Sequence, residues 1–215
     1  MRSAGLIAVL ALSLAGCEER APAGTQAFSQ ALSTRDAPSK PAAPRVTLDV
    51  GNAYPNPQVI GDKKGVSIMK APPGVAHSEP DAWAIEYIRN KKGITQAGLG
   101  GVCWQNRPGN QGDLAAGDDL SSKGYRRVSF WARGGKGGEV VEFRAGGLGN
   151  VKTRYQDSFD VSLGKVKLKS EWAEYSLFLN DADLSSVITP FCVIIEIGPN
   201  PDGALVYVDD IVYLG

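Results

Sequence analysis

Residues 125–145 read YRRVSFWARGGKGGEVVEFRA and contain two short segments in which apolar and polar side chains alternate. One set of alternating positions is apolar, with Val128, Phe130, Ala132, Val141, Phe143 and Ala145. The opposite set carries an indole, two guanidiniums and a carboxylate, with Ser129, Trp131, Arg133, Glu142 and Arg144. Because successive side chains of a β-strand point to opposite faces, this pattern predicts two strands that each bury one face in a core.

Glycine is concentrated between these two segments, at Gly134, Gly135, Gly137 and Gly138. Glycine adopts the positive φ angles that tight β-turns need, so the sequence predicts an antiparallel hairpin. In a hairpin the two polar faces lie side by side. We therefore expect the polar residues of both strands to form one working surface.

Length and composition narrow the fold class. A chain of 215 residues fits one domain with extensions at its ends. Lys and Arg together number 23, as do Asp and Glu, so the net charge gives no reason to expect a nucleic-acid partner. The 26 glycines and the short runs of Val, Ile, Tyr and Phe favour an all-β fold over a helical bundle.

Other segments of the chain also have the composition of strands. We predict strands at 46–49, 66–69, 83–88, 98–105, 161–168, 173–179, 191–197 and 205–214. Residues 50–62 and the polar segment 106–123 are predicted loops, the second beside the working surface. The last two strands are almost continuously apolar, which is typical of the middle of a sheet. Trp172, just before a strand, is predicted to anchor the core, with a ligand platform as the alternative.

The single histidine, His77, lies in a proline-rich segment and is expected to be solvated. Without a second histidine, a zinc hydrolase site or a Ser-His-Asp triad has no base.

The N-terminus has the features of an export signal. Residues 1–16 combine Arg2, a short apolar run and small residues before Cys17. The sequence LAGC at 14–17 resembles the lipobox of bacterial lipoproteins, which implies a signal peptide of residues 1–16 and acylation of Cys17, for example with palmitate. The alternatives are an ordinary signal peptide with a chance cysteine, or a transmembrane anchor, although roughly 20 apolar residues are needed to span a bilayer. Glu18 is compatible with sorting to the outer membrane if the cell has one.

Residues 17–45 are rich in Ala, Pro, Ser and Thr and lack apolar periodicity, so they are predicted to be a disordered tether. The folded domain would then span residues 46–215 and stand off the membrane. Acylation of Cys17 leaves Cys103 and Cys192 as one pair in an exported protein. The two are either joined in a disulfide, if their strands are adjacent, or remain two buried free thiols.

From residue 101 onward, the order of motifs resembles the galactose-binding-domain-like β-sandwich, or jelly roll, of carbohydrate-binding modules. The segments that carry the resemblance are GVCWQ at 101–105, FWARG at 130–134, GGEVVEF at 137–143, EWAEYSLFL at 171–179 and VYVDDIVYL at 206–214, together with Asp157 and Ser158. The resemblance implies an all-β antiparallel sandwich that binds a polysaccharide or glycoconjugate without altering it.

A sugar presents C–H groups on one face and hydroxyls around its rim, so its site needs an aromatic platform with polar flanks. Trp104 or Trp131 is the candidate platform. The candidate polar and contact residues are Gln105, Arg133, Glu142, Arg144, Tyr155 and Asp157. The alternative is that Arg133, Glu142 and Arg144 form a structural salt-bridge network with Trp131 packed against it.

The resemblance also implies a structural Ca²⁺, for which Asp49, Asp209 and Asp210 would offer the oxygen ligands that calcium prefers. Two other functions remain open. A glycoside hydrolase or polysaccharide lyase would need two facing carboxylates, for which the sequence offers Glu142 and Asp157. A structural envelope lipoprotein would instead use the same surface to contact another protein.

Overall fold

The structure of the chain, a computed structural model, describes residues 46–88, 98–149 and 152–215. The predicted signal peptide and tether, including Cys17, lie outside the described residues. The start of the folded domain at residue 46 therefore stays a prediction. Within the described ranges, no helix has both the length and the apolar character needed to cross a bilayer.

The described residues form two antiparallel β-sheets, which confirms the prediction of an all-β sandwich. The strands are β1 Thr47–Asp49, β2 Gln58–Gly61, β3 Val66–Lys70, β4 Trp83–Tyr87, β5 Leu99–Trp104, β6 Arg127–Gly134, β7 Val140–Gly146, β8 Asp160–Lys167, β9 Ala173–Phe178, β10 Phe191–Glu196 and β11 Ala204–Leu214. A short helix, α1 at Val50–Ala53, and a 3₁₀ turn at Ser121–Lys123 lie in the connections.

The two sheets differ in strand order. A six-stranded sheet has the order β3-β4-β11-β6-β9, with β1 also paired to β11, and a five-stranded sheet has the order β2-β5-β10-β7-β8. The apolar strands β10 and β11 each lie in the interior of a sheet, as their composition predicted. Strand β2 falls in a segment predicted to be a loop, because its four residues next to proline and glycine carry too short a pattern to identify a strand.

The core lies between the sheets and is built from the apolar positions of β6 and β7. Phe130 of β6 and Phe143 of β7 are fully buried, with ring centroids 4.6 Å apart. Phe191 of β10 packs against Phe130 at 4.8 Å. Val128, Ala132, Val141 and Ala145 are buried on the same two faces. The apolar face predicted from alternation is therefore the core face.

The predicted hairpin between β6 and β7 is wrong. Strand β6 pairs with β9 and β11, whereas β7 pairs with β8 and β10, so the glycine-rich connection passes from one sheet to the other. Gly137 and Gly138 have φ angles of 81° and 98°, as a sharp turn requires. Alternation shows which side of a strand is buried and leaves its partner undetermined, so the same sequence fits a hairpin or a crossing between sheets.

A disulfide joins Cys103 of β5 to Cys192 of β10, one of the two arrangements that the sequence left open. The two residues are directly opposite each other in the antiparallel register. Both lie on the side of the five-stranded sheet away from Phe191 and Val193, which face the core. The bond therefore ties together two strands that are far apart along the chain.

Replacing both cysteines by alanine removes a cross-link between residues 89 positions apart. Because the bond restricts the unfolded chain over that length, we expect the free energy of unfolding to fall by about 2–5 kcal/mol. Urea unfolding followed by circular dichroism measures this. The unmodified protein in strong reductant is the control and should match the variant. Equal stability of the oxidised protein and the variant would show that the cross-link contributes nothing.

Candidate functional site

The polar residues of β6 and β7 lie on opposite sides of the sandwich. Trp131 and Arg133 alternate with buried Phe130 and Ala132, so they project from the outer face of the six-stranded sheet. Glu142 and Arg144 project from the outer face of the five-stranded sheet. The prediction of one working surface that holds all four side chains is therefore wrong, and each outer face has its own chemistry.

The six-stranded sheet carries a group of ring and guanidinium side chains on its outer face. We call His77, Trp131, Arg133, Trp172 and Tyr207 the outer-face cluster. The strand register brings Arg133 of β6 opposite Tyr207 of β11, and Trp172 comes from the start of β9 on the other side of β6. Trp131, Arg133, Trp172 and Tyr207 are half-buried, whereas His77 is exposed.

Arg133 contacts two aromatic rings. Its guanidinium carbon lies 4.3 Å from the ring centroid of Tyr207 and 5.5 Å from that of Trp172, which places both rings within cation–π distance. The two rings are 6.4 Å apart and meet edge to face. Nη1 of Arg133 donates a hydrogen bond of 3.2 Å to the carbonyl of Ser170. The guanidinium therefore has a defined orientation against the two aromatic side chains.

His77 is exposed, as the sequence led us to expect, but its ring is also stacked on Trp131. The imidazole and indole centroids are 3.7 Å apart and the rings are 13° from parallel. This contact covers one face of the Trp131 ring, the side chain predicted as a sugar platform. Trp172 lies 5.9 Å from His77, edge to face. Arg133 likewise contacts the rings of Trp172 and Tyr207, and all three rings are half-buried, so each keeps part of its surface for a ligand.

Two aspartates at the bulge of β11 hold the His77 loop in place. The backbone N–H groups of His77 and Ser78 each donate to Oδ2 of Asp209 at 2.9 Å. Nδ1 of His77 lies 2.8 Å from Oδ2 of Asp210, which also accepts from the Ser78 hydroxyl. Burial raises the pKa of the Asp209 carboxyl, with N–H donation from Ser78 and Asp210 acting in the opposite direction. These carboxylates hold the loop that carries His77.

Trp172 was predicted to be a core anchor, and this is wrong. Its side chain lies on the outer face, and its Nε1–H donates to the carbonyl of Val75 in the same loop, at 3.2 Å. The sequence offered a signal for Tyr207, which alternates with the buried Val206 and Val208. It offered none for His77, whose contact with Trp131 depends on a loop that folds back over the sheet.

The outer face of the five-stranded sheet carries an ionic network in place of rings. Arg144 donates to both oxygens of Asp160 at 2.8 and 2.5 Å and to Glu142 at 3.2 Å. The hydroxyl of Ser162 donates to the same oxygen of Glu142 at 2.6 Å. The hydrogen bond to Asp160 raises the pKa of the Arg144 guanidinium. The structural network considered as an alternative is therefore present around Glu142 and Arg144, but it does not include Arg133 or Trp131.

Trp104 and Gln105 are buried, so the prediction that they contact a ligand is wrong. Trp104 is on the inner face of β5 and is 0% exposed. Its ring packs edge to face against Trp83 at 6.0 Å and Phe191 at 5.6 Å. Gln105 follows at 4% exposure. The sequence pattern did not show which face of β5 turns toward the core, because most side chains of that strand are small or apolar.

Asp157 connects loops and is not free to bind a ligand. Its Oδ1 accepts from the N–H groups of Ile188 and Thr189 at 2.6 and 3.1 Å. Its Oδ2 accepts from the N–H of Leu148 at 2.9 Å and from the Thr189 hydroxyl. Tyr155 lies in the same connection as Asp157, where its N–H donates to the carbonyl of Gly112. The structure therefore assigns both residues to the loops between strands.

The three carboxylates proposed for Ca²⁺ do not fit a metal site. Asp49, Asp209 and Asp210 border one cavity of about 300 Å³. Asp49, however, caps helix α1 by accepting from the N–H and side-chain amide of Asn52, and the other two hold the His77 loop. Among the residues described, no group of three or more His, Cys, Asp or Glu side chains could hold a metal ion. The calcium prediction is therefore wrong for these residues.

Comparison with known proteins supports the fold. No protein-family model and no curated protein matches the chain. A family 11 carbohydrate-binding module from Clostridium thermocellum, solved with a β-1,3-1,4-mixed-linked tetrasaccharide, aligns with a TM-score of 0.50 and 15% identity over 80% of this chain and 95% of its own. A family 11 module of the cellulase Lic26A-Cel5E from the same organism aligns at 0.49 and 14% identity, over 81% of this chain and 96% of its own.

A family 30 module aligns at a TM-score of 0.45 and 19% identity, over 74% of this chain and 77% of its own. At such low identity the family 11 alignment shows a shared fold. The chain is thus a β-sandwich of the carbohydrate-binding-module type, as its motifs implied.

Asp157 and Asp160 provide a matched pair of carboxylates for a stability test. Asp157→Ala leaves buried N–H groups without an acceptor, and we expect the free energy of unfolding to fall by about 2–4 kcal/mol. Asp160→Ala removes only an exposed partner of Arg144, and we expect a loss of about 0–1 kcal/mol. Thermal and urea unfolding of both variants measure the difference. A larger loss for Asp160→Ala would contradict the structural role of Asp157.

Proposed function

We propose that this domain binds a carbohydrate chain without cleaving it, through the outer-face cluster of the six-stranded sheet. The observation that carries the proposal is the mutual contact of Trp172, Tyr207 and Arg133, all half-buried on one sheet face. Aromatic rings offer the C–H faces of a sugar an apolar contact, and the guanidinium offers its oxygens several hydrogen-bond donors. The cluster thus combines the two features that a sugar site needs.

The outer face of the five-stranded sheet is less suited to binding a sugar than the outer face of the six-stranded sheet. The outward side chains of its central strands include Cys192, Ile194, Glu142 and Arg144, and the charged ones bind one another. No Trp, Tyr, Phe or His projects outward from the strands of this sheet within the described chain. A sugar would find hydrogen-bonding groups there, but no ring against which to stack.

The fold is compatible with this role. The family 11 module with the same fold was solved with a bound tetrasaccharide, so a sandwich of this type can carry a glycan site. For this chain the side chains of the outer-face cluster support the role, because fold alone does not decide function.

The arrangement of carboxylates favours binding over hydrolysis. Glycoside cleavage uses two carboxyl groups that face each other across the substrate, about 5–10 Å apart. Glu142 is engaged by Arg144 and Ser162 on the five-stranded sheet, whereas Asp157 is enclosed by backbone N–H groups in a loop. Neither residue belongs to the outer-face cluster. A non-catalytic role therefore fits the side chains better.

Pull-down on insoluble polysaccharides, with the full chain in mild detergent, tests the proposed face. We expect Trp172→Ala and Tyr207→Ala each to weaken binding about tenfold or more, because each removes a stacking ring. Phe178→Ala is the matched control, since Phe178 is an exposed aromatic residue on the same sheet, outside the cluster. Tyr207→Phe keeps the ring and should retain most of the binding.

Circular dichroism of each variant separates loss of binding from loss of fold. Folded Trp172→Ala and Tyr207→Ala variants that bind like the unmodified chain would contradict the proposed site. Absence of binding to every glycan by the folded unmodified chain would contradict the function and favour a structural envelope protein that uses this face to contact another protein.

We also propose that the chain is lipid-anchored through Cys17, in the outer membrane of a cell that has two membranes. The LAGC sequence at 14–17 supports this proposal. Metabolic labelling with a tagged palmitate should mark the unmodified chain and the Cys103→Ala/Cys192→Ala control, but not Cys17→Ala. Equal labelling of Cys17→Ala would exclude this anchor.

A further inference from the structure

Arg133 is oriented and half-buried, and no carboxylate of the described residues pairs with it. None of the ion pairs between described residues includes it, whereas Arg144 on the opposite sheet binds both Asp160 and Glu142. Its one hydrogen bond to a described residue goes to the carbonyl of Ser170, and its Nε is buried with no hydrogen-bond partner. A guanidinium carries five N–H donors, so most of its capacity is unused.

Charged side chains of both signs lie around Arg133. The connections that follow β6 and β8 meet beside it, where the N–H of Gly134 donates to the carbonyl of Lys169. These segments bring the exposed residues Lys136 and Lys169 and the carboxylates of Glu139 and Glu171 to the same end of the strand. Glu174 and Asp209 lie opposite Trp131 on the two neighbouring strands, so Arg133 itself, and no excess of surrounding positive charge, would attract an anionic ligand.

Building on the proposed function, we infer that the ligand is an acidic polysaccharide whose uronate carboxylate binds Arg133 while its sugar rings contact Trp172 and Tyr207. The planar fork of a guanidinium matches a carboxylate with two parallel hydrogen bonds. The flanking rings fix the plane of that fork before the ligand arrives, which reduces the entropy lost on binding. A carboxylate on a pyranose ring lies beside the C–H face of the same sugar, so one residue can use both contacts.

The sharpest test compares ligands and requires no variant. The full chain is assayed in detergent on polygalacturonate, on its fully methyl-esterified form, on alginate, on a sulfated galactan and on a neutral β-glucan. We expect at least one of the two acidic uronans to bind about tenfold or more tightly than the methyl ester and the neutral glucan. We also expect uronan binding to weaken as the salt concentration rises, because the contact is charged.

Variants at one position complete the test. We expect Arg133→Gln to lose most uronan binding, and Arg133→Lys to retain part of it, because lysine keeps the charge and loses the fork. Lys165→Gln is the matched control, since this lysine pairs with Glu196 on the opposite sheet. Thermal unfolding verifies that each variant is folded. If Arg133→Gln unfolds, the inference is still tested by the Arg133→Lys variant and by comparing the binding of polygalacturonate with that of its methyl ester.

Several results would overturn the inference. Equal binding to polygalacturonate and its methyl ester would show that no uronate carboxylate binds Arg133. Unchanged uronan binding by a folded Arg133→Gln variant would show the same. Binding to the sulfated galactan alone would show that Arg133 binds a sulfate ester and not a carboxylate. Tight binding to the neutral glucan alone would reject the acidic ligand and leave the proposed function intact, whereas no binding to any polysaccharide would reject both.

Discussion

The contact of Phe130 with Phe143 and Phe191 across the core is the interaction on which the rest of the structure depends. Phe130 belongs to the six-stranded sheet and the other two to the five-stranded sheet, with ring centroids 4.6 and 4.8 Å apart. Burying such rings contributes roughly 1.5–3 kcal/mol each. Because β6 and β7 turn their apolar faces toward each other from opposite sheets, their polar faces must point away from each other. This packing places Trp131 on one side of the molecule and Arg144 on the other.

Separating the two polar faces gives each a distinct chemistry. On the six-stranded sheet, the bulge of β11 presents two aspartates that hold the His77 loop against Trp131. That loop also accepts the indole N–H of Trp172, so both tryptophans have fixed positions. On the five-stranded sheet the ionic side chains satisfy one another, and the disulfide ties β5 to β10 nearby. A surface with oriented rings and a cation that no described carboxylate pairs with is suited to a ligand, whereas a surface whose charges pair with one another is suited to stability.

Most strands and the core face could be predicted from the sequence because both depend on local alternation. Phe130 and Phe143 were assigned to the core for this reason, and the apolar β10 and β11 to the middle of a sheet. The partners of β6 and β7 could not be predicted, since a glycine-rich connection suits a hairpin or a crossing between sheets. For the same reason Arg133 was grouped with Glu142. The stacking of His77 on Trp131 depends on contacts between residues more than 50 positions apart, which local periodicity does not encode.

The central claim is that the outer face of the six-stranded sheet binds the ligand, and the four indole N–H signals in a ¹⁵N correlation spectrum test it most directly. Trp83 and Trp104 pack together on the core side, whereas Trp131 and Trp172 lie on the outer face. Titration with a soluble oligosaccharide should shift the signals of Trp131 and Trp172, with Trp172 moving most, and leave Trp83 and Trp104 unchanged. Shifts confined to the amides around Glu142, Arg144 and Ser162, with all four indole signals unmoved, would contradict the account and move the site to the opposite sheet.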